Sequence, residues 1–209
     1  LESVKAAGGR AITHVADVTS TEQVNAAVKA AADWGRINVL VNVAGGSGPK
    51  PVRDIEGIED TDWDFVITLN LKSVFLFCRA VVPYMRAQRY GRIVNTSSSY
   101  SRGRKGPVTT QGVRLAYAAA KAGIIGIGAQ LSKDLADCGI TVNTVVPALT
   151  LGEPGSRIRT RFDKLPDAAR NAVLSELPMG RPAEAYEVAA AIGFLASEGA
   201  SYVSGIALP

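Results

Sequence analysis

Tyr117 and Lys121 stand four residues apart in LAYAAAKAG (115–123), with only alanines between them. On a helix, positions i and i+4 share a face, so the phenol and the ammonium project side by side. A free tyrosine titrates near pH ~10, too high for a base at neutrality. An adjacent ammonium favours the phenolate and lowers that value. The pair therefore reads as a proton-transfer device, with small neighbours that leave room for a ligand. The same spacing also suits an ordinary pair on a helix surface, and spacing alone does not separate the two readings.

Three other stretches bear on that choice. GRIVNTSS (91–98) is an apolar run that ends in hydroxyls, Ser97, Ser98 and then Ser99, where a side chain can reach a ligand carbonyl. INVLVNVAG (37–45) ends in the small residues Ala44 and Gly45 after Asn42. Asn70 interrupts the apolar helix stretch ITLNLKSVFLF.

The elements that must position these residues alternate between strands and helices. Strands are expected at 11–18, 37–45, 91–98 and 139–147, with a last one beginning at 205–209. Helices are expected at 19–35, 61–88, 116–138 and 183–197. Thr19 and Glu22 fit a capping box for the first of these helices, and Gly35 fits its stop. Residues 37–42 lack polar alternation, as a central parallel strand buried on both faces requires. Residues 148–182 read as irregular, with a short helix around 166–176. This order implies an α/β fold, a doubly wound parallel sheet with helices on both faces. Ligands in such sheets sit beyond the carboxyl ends of the strands, which here read ADVT, NVAG, NTSS and VVPALT.

Composition narrows the function classes. The 209 residues are 47% hydrophobic and 20% charged, with a net charge of +4 and two cysteines. That is globular composition for a single domain, and Cys78 and Cys138 read as free thiols of a cytoplasmic protein. Lys and Arg are dispersed, with RGRK (102–105) and SRIRTR (156–161) the densest stretches, so nucleic acid is not an expected partner. No uninterrupted apolar run reaches the ~18 residues of a membrane span. GGSG (45–48) and GIIGIG (123–128) lack the context of a phosphate-binding fingerprint, and the second is expected to serve close helix packing. His14 is expected to be structural, within a strand, and no cluster suggests a metal.

Taken together, ADVT (16–19), NVAG (42–45), LNLKS (69–73), GRIVNTSS (91–98), YAAAK (117–121), NTVVP (143–147) and residues 180–205 resemble the short-chain dehydrogenase/reductase family in the family's own order. The resemblance spans nearly the whole chain and implies a Rossmann-like fold. It implies an NAD(P)-dependent oxidoreductase that interconverts a secondary alcohol and a ketone. Tyr117 would be the general acid/base, with Lys121 lowering its pKa and holding the nicotinamide ribose. Ser98 would hold the substrate oxygen, and Asn70 would complete a proton relay. Asp17 and Val18 would contact the adenine, and Asn42, Ala44 and Gly45 would line the adenosine and ribose side. Pro147 and Thr150 are expected at the nicotinamide end. The choice between NAD and NADP is not legible. A non-catalytic dinucleotide-binding scaffold or sensor, or a nicotinamide-dependent lyase or epimerase, would use the same fold.

Some of the family's pattern is not in this sequence. The glycine-rich turn that cradles the pyrophosphate, and the first two strands of the sheet, would lie upstream, about forty residues of pattern in all. The chain is therefore expected to be part of a longer enzyme and, by itself, to hold dinucleotide poorly. Ser98 and Tyr117 are 19 residues apart, a longer spacing than the family's usual one. Ala148 stands where the family usually has glycine, and Thr150 is off register. Residues 149–178 are expected to form a substrate lid. Arg102, Arg104, Lys105, Arg157, Arg159 and Arg161 could ring its mouth and favour an anionic or carrier-linked substrate such as a 3-oxoacyl thioester, although such loop charges are more often simply solvated. Pairing of the two long helices, near Phe75, Cys78 and Ala129, would make a homodimer or homotetramer.

Overall fold

The structure is a computed structural model, and it describes residues 2–48, 52, 54–103 and 114–209. Its strands are β1 (Val39–Asn42), β2 (Gly91–Thr96), β3 (Ile140–Val145), β4 (Thr150–Leu151), β5 (Ala183–Glu184) and β6 (Ala207–Leu208). Its helices are α1 (Glu2–Ala6), α2 (Thr21–Trp34), α3 (Asp60–Ile67), α4 (Ser73–Gln88), α5 (Arg114–Asp134), α6 (Arg157–Asp163), α7 (Asp167–Ser175) and α8 (Ala185–Ala196). Four strands run parallel in the order β1-β2-β3-β6, while β4 and β5 form a separate two-stranded ladder.

Ile93 and Val94 show why this sheet must be wound on both sides. Consecutive strand residues point to opposite faces, yet both are fully buried. Ile93 packs with Val28 of α2, with Val74, Cys78, Val81 and Met85 of α4, and with Ile124 of α5. Val94 packs with Val145 and Leu195 of α8 on the other face. Burying one such aliphatic side chain contributes about 1.5–3 kcal/mol, so two covered faces supply the driving force that short parallel strands need. The doubly wound Rossmann-like architecture is the one expected.

Several expectations change in detail. Residues 11–18 form no strand: nothing among the described residues pairs with them, and Val15 is 97% exposed. His14 accordingly lies exposed outside any strand. Among the described residues β1 pairs with β2 alone, so it stands at the edge of this sheet rather than doubly buried, and Val39, Val41 and Val43 are exposed. The cap of α2 is Ser20, whose Oγ accepts the Gln23 N–H at 3.3 Å. Thr19 instead donates its own N–H and Oγ–H to Asp17. Residues 148–182 hold α6 as well as α7, and the basic stretch that reads as loop is largely helix.

The long central helix runs from Asp60 to Gln88 without a break, but Thr68–Lys72 is π-helical. By length and composition this rod would pass for a membrane span, since an 18-residue stretch of it reaches a mean hydropathy of 1.8. Charged and polar side chains interrupt its apolar runs, which hid that property from a count of continuous residues. Val74, Cys78, Val81 and Met85 recur at helical spacing and pack on the sheet. Cys78 is thus a core residue facing inward, not part of an outer helix-pairing surface, whereas Phe75 on the same helix is exposed. Burial pushes the Cys78 thiol up to about 12, and such a thiol is chemically inert.

Candidate active site

The catalytic candidates meet where β2 ends against α5. Ala116, Ala120 and Lys121 are buried on the inner face of that helix. Ala116 packs with Val66 of α3, with Trp63 and Tyr117 against the pair. Ser97 Oγ donates to the Lys121 carbonyl at 2.7 Å and so splices the strand end to the helix backbone. Lys121 Nζ donates to the Thr96 carbonyl at 2.8 Å and lies 5.5 Å from the centre of the Tyr117 ring. Ser98 is extended, and its Oγ accepts the Tyr100 N–H at 3.3 Å. The Ser98 and Tyr117 side chains are hydrogen-bonded to each other. Tyr100 stands edge-on to Tyr117, with ring centres 6.0 Å apart.

Asn70 belongs to the same cluster through the π-helical turn, a distortion frequent at functional sites. Its side chain is fully buried. Oδ1 accepts the Gly46 N–H at 3.0 Å, and Nδ2 donates to the carbonyls of Gly46 and Val66, both at 2.8 Å. The amide therefore splints the loop that follows β1. Gly45 has no room for a side chain here: a Cβ would lie 2.5 Å from Asn70 Oδ1 and 3.4 Å from Lys121 Nζ. Asn70 cannot retreat without giving up Gly46. Gly45→Ala should therefore destabilise the fold by about 2 kcal/mol, an overpacking cost, readable as a lowered thermal midpoint. An unchanged midpoint would show that the loop relaxes freely.

Burial dominates the electrostatics. Desolvation lowers Lys121 to about 8, since a low-dielectric site disfavours its charged form. Desolvation also raises the Tyr117 phenol above its ordinary value, against the opposing effect of the Ser98 hydrogen bond. The lowering expected from the i,i+4 ammonium is thus not the net result. The Lys121 charge is directed to the Thr96 carbonyl, and Tyr117 lies packed against Val66 and Ala116.

The other candidates spread along the strand ends. Asn42 Nδ2 donates to Asn95 Oδ1 at 2.9 Å, bracing β1 against β2, and Ala44 and Gly45 are exposed beyond it. Asp17 accepts from Thr19 N and Oγ1 at 2.8 and 2.7 Å, which holds its carboxyl below the usual range. With Thr61, Asp64, Phe65, Thr68 and Leu69, Asp17 and Thr19 line a cleft of about 460 Å³ apart from the tyrosine. Val18 is half-buried beside them. The Pro147 carbonyl accepts the Ser99 N–H at 2.9 Å. Thr150 lies in the β4–β5 ladder, its Oγ1 turned to the Ala148 carbonyl at 3.3 Å. Arg159 is engaged by Glu184, while Arg104 and Lys105 lie outside the described residues. Ser97, one of the three hydroxyls considered for a ligand, is turned to the Lys121 carbonyl instead. Gly46 and Tyr100 touch the cluster and were missed by motif reading. Their signal was adjacency to Ser98 and Gly45, which carries no geometry.

The family profile described as enoyl-(acyl carrier protein) reductase matches residues 1–209. The chain is 41% identical over 202 residues to the 3-oxoacyl-(acyl-carrier-protein) reductase of Thermotoga maritima, covering 94% of this chain and 74% of that one. It belongs to the short-chain dehydrogenase/reductase family. The corresponding Escherichia coli reductase is 36% identical over 195 residues, covering 92% and 71% of the two chains. A crystal structure of NAD+-bound xylitol dehydrogenase superimposes with a TM-score of 0.86 at 30% identity, over 100% of this chain and 81% of the other.

As a member of that family the protein is an NAD(P)-dependent oxidoreductase. The lining of the Asp17 cleft suits a polar, aromatic-bearing group such as a nicotinamide dinucleotide carries. The cleft gives acceptors beside the Phe65 ring, and Gly45 is exposed at the loop after β1, with no room for a Cβ against Asn70. Close packing accounts for two of the three glycines of 123–128, while a Cβ on Gly126 would meet nothing. A Cβ on Gly123 would meet Leu71 at 2.9 Å, and one on Gly128 would meet Thr144 Oγ1 at 2.6 Å.

Proposed function

We propose that the protein reduces a ketone to a secondary alcohol, and catalyses the reverse, with Tyr117 as general acid/base. The observation that carries this reading is the Ser98–Tyr117 hydrogen bond beside the buried Lys121, at the carboxyl end of a central strand. Ser98 donates to the substrate carbonyl oxygen and Tyr117 delivers a proton to it as negative charge develops. Lys121 supplies positive potential to the phenolate left behind. Asn70 acts on the loop at Gly45 and Gly46, keeping the dinucleotide side of the site in register. Asp17, Val18, Asn42, Ala44, Gly45 and Lys121 would hold the adenosine and ribose portions, with Pro147 at the nicotinamide end. Bound there, the nicotinamide supplies or accepts the hydride. Because burial keeps the Tyr117 phenol protonated at neutral pH, the resting site is set for reduction.

Two of the relatives are 3-oxoacyl-(acyl-carrier-protein) reductases, so a 3-oxoacyl thioester is the substrate class to test first. Exposed Arg102 and Arg157 would meet an acidic carrier. Phe75 and Leu115, each 46% exposed on α4 and α5, support pairing of those helices in a homodimer or homotetramer of a cytoplasmic enzyme. The test mixes full-length protein with reduced nicotinamide cofactor and a short 3-oxoacyl thioester. Cofactor oxidation should match formation of the 3-hydroxyacyl product one for one. Cofactor oxidation without hydroxyacyl product, or no turnover of any ketone, would overturn the reading.

A further inference from the structure

The excursion that carries α6 and α7 starts beside the candidate site and closes on itself. It leaves β3 through Pro147, whose carbonyl holds Ser99, the neighbour of Ser98. It returns at β5, where the Ala183 N–H donates to the Leu149 carbonyl at 2.9 Å and the β4–β5 ladder forms. Arg159, on α6, joins the two ends a second time. Its Nε donates to the Gly152 carbonyl just past β4, and its Nη2 pairs with the Glu184 carboxylate on β5. Glu184 is also the N-cap of α8, exchanging hydrogen bonds with Glu187 in a capping box. Glu187 is in turn gripped by both terminal nitrogens of Arg181, at 2.8 and 2.7 Å.

We propose that Arg159 and Glu184 form a clasp that fixes α6 and α7 over the carbonyl substrate, making both positioning residues for the reaction. The proposal rests on the reductase reading above for what lies beneath the helices. Arg159 touches none of the reacting groups. It sets where the covering helices sit relative to Pro147 and Ser98. A charge-assisted pair of partly shielded side chains holds such a position more firmly than an exposed pair. Loss of either partner frees the base of the excursion, while the β4–β5 ladder remains.

The test uses full-length Arg159→Met and Glu184→Gln, with Arg159→Lys as the conservative variant and Arg181→Met as the neighbouring control. Glu184→Gln keeps an acceptor for the α8 cap. KM for the ketone should rise about tenfold in the first two, with kcat little changed. Arg159→Lys should recover most of that loss, and Arg181→Met should match the parent. Amide exchange should quicken across 157–175 in the clasp variants and stay unchanged in α5. Unchanged exchange across 157–175 overturns the clasp, as does a KM rise in Arg181→Met equal to that in Arg159→Met. Absence of ketone turnover in the parent defeats the reductase reading instead, and the exchange result still decides the clasp.

Discussion

Tyr117→Phe should lower kcat by about a thousandfold, a loss of ~4 kcal/mol of transition-state stabilisation, within the range that a positioned proton donor contributes. The ring itself is not the source of that loss. Phenylalanine keeps the packing against Val66 and Ala116 and the edge-on contact with Tyr100. What disappears is the hydroxyl that meets Ser98. Dinucleotide affinity, measured by calorimetry on the full-length variant, should change by less than about threefold, because the variant removes an interaction realised in the transition state. The pH profile carries a second signature. Reduction should run level up to about pH 8, fall as Lys121 loses its charge there, and fall further as the phenol, raised by burial, loses its proton. Oxidation should rise over that last step. A fall in kcat of less than about tenfold would assign the proton to another group.

The residues that made this site legible in sequence are those whose meaning is local. The Tyr117–Lys121 spacing needs nothing beyond a helix, and a hydroxyl after an apolar strand needs nothing beyond the strand's end. Residues whose meaning is tertiary were misread. Residues 11–18 have the composition of a strand, but a strand exists by pairing, and Val15 has no strand partner among the described residues. INVLVN looks doubly buried because its side chains suit that role, yet burial depends on neighbours in the sheet. Thr19 and Ser20 are equally good caps on paper, and the Asp17 carboxylate decides between them by taking both Thr19 donors. Asn70 stood out as polar within an apolar helix. That it acts through Gly46, from a π-helical turn, follows from backbone geometry that no residue type encodes. The same gap separated the expected direction of the Tyr117 shift from the one found: spacing fixes which groups are near, while packing fixes how dry they are.

Lys121→Met should separate stability from catalysis in opposite directions. Lys121 is held at about 8 in the fold against 10.5 for an unburied lysine. Between those values the unfolded chain carries a proton that the folded chain lacks, so stability rises with pH across that window. Below about 8 the folded protein bears the full cost of a buried ammonium, on the order of 3 kcal/mol. Methionine fills similar space without charge but forfeits the bond to the Thr96 carbonyl, worth about 1 kcal/mol. The variant should therefore be more stable than the parent by about 2 kcal/mol near neutrality. That advantage should shrink as pH climbs through 10.5, above which the parent's lysine is neutral in both states. Thermal midpoints of parent and variant at neutral and alkaline pH test this directly, and a gap that stays constant or widens would refute the linkage. Activity should move the other way. Without the ammonium the phenolate formed at Tyr117 loses its counter-charge, and kcat should drop by about a hundredfold. Such an exchange of stability for function is characteristic of a charge kept buried for chemistry. An ordinary surface pair would show neither effect, so this one substitution distinguishes the two readings of LAYAAAKAG.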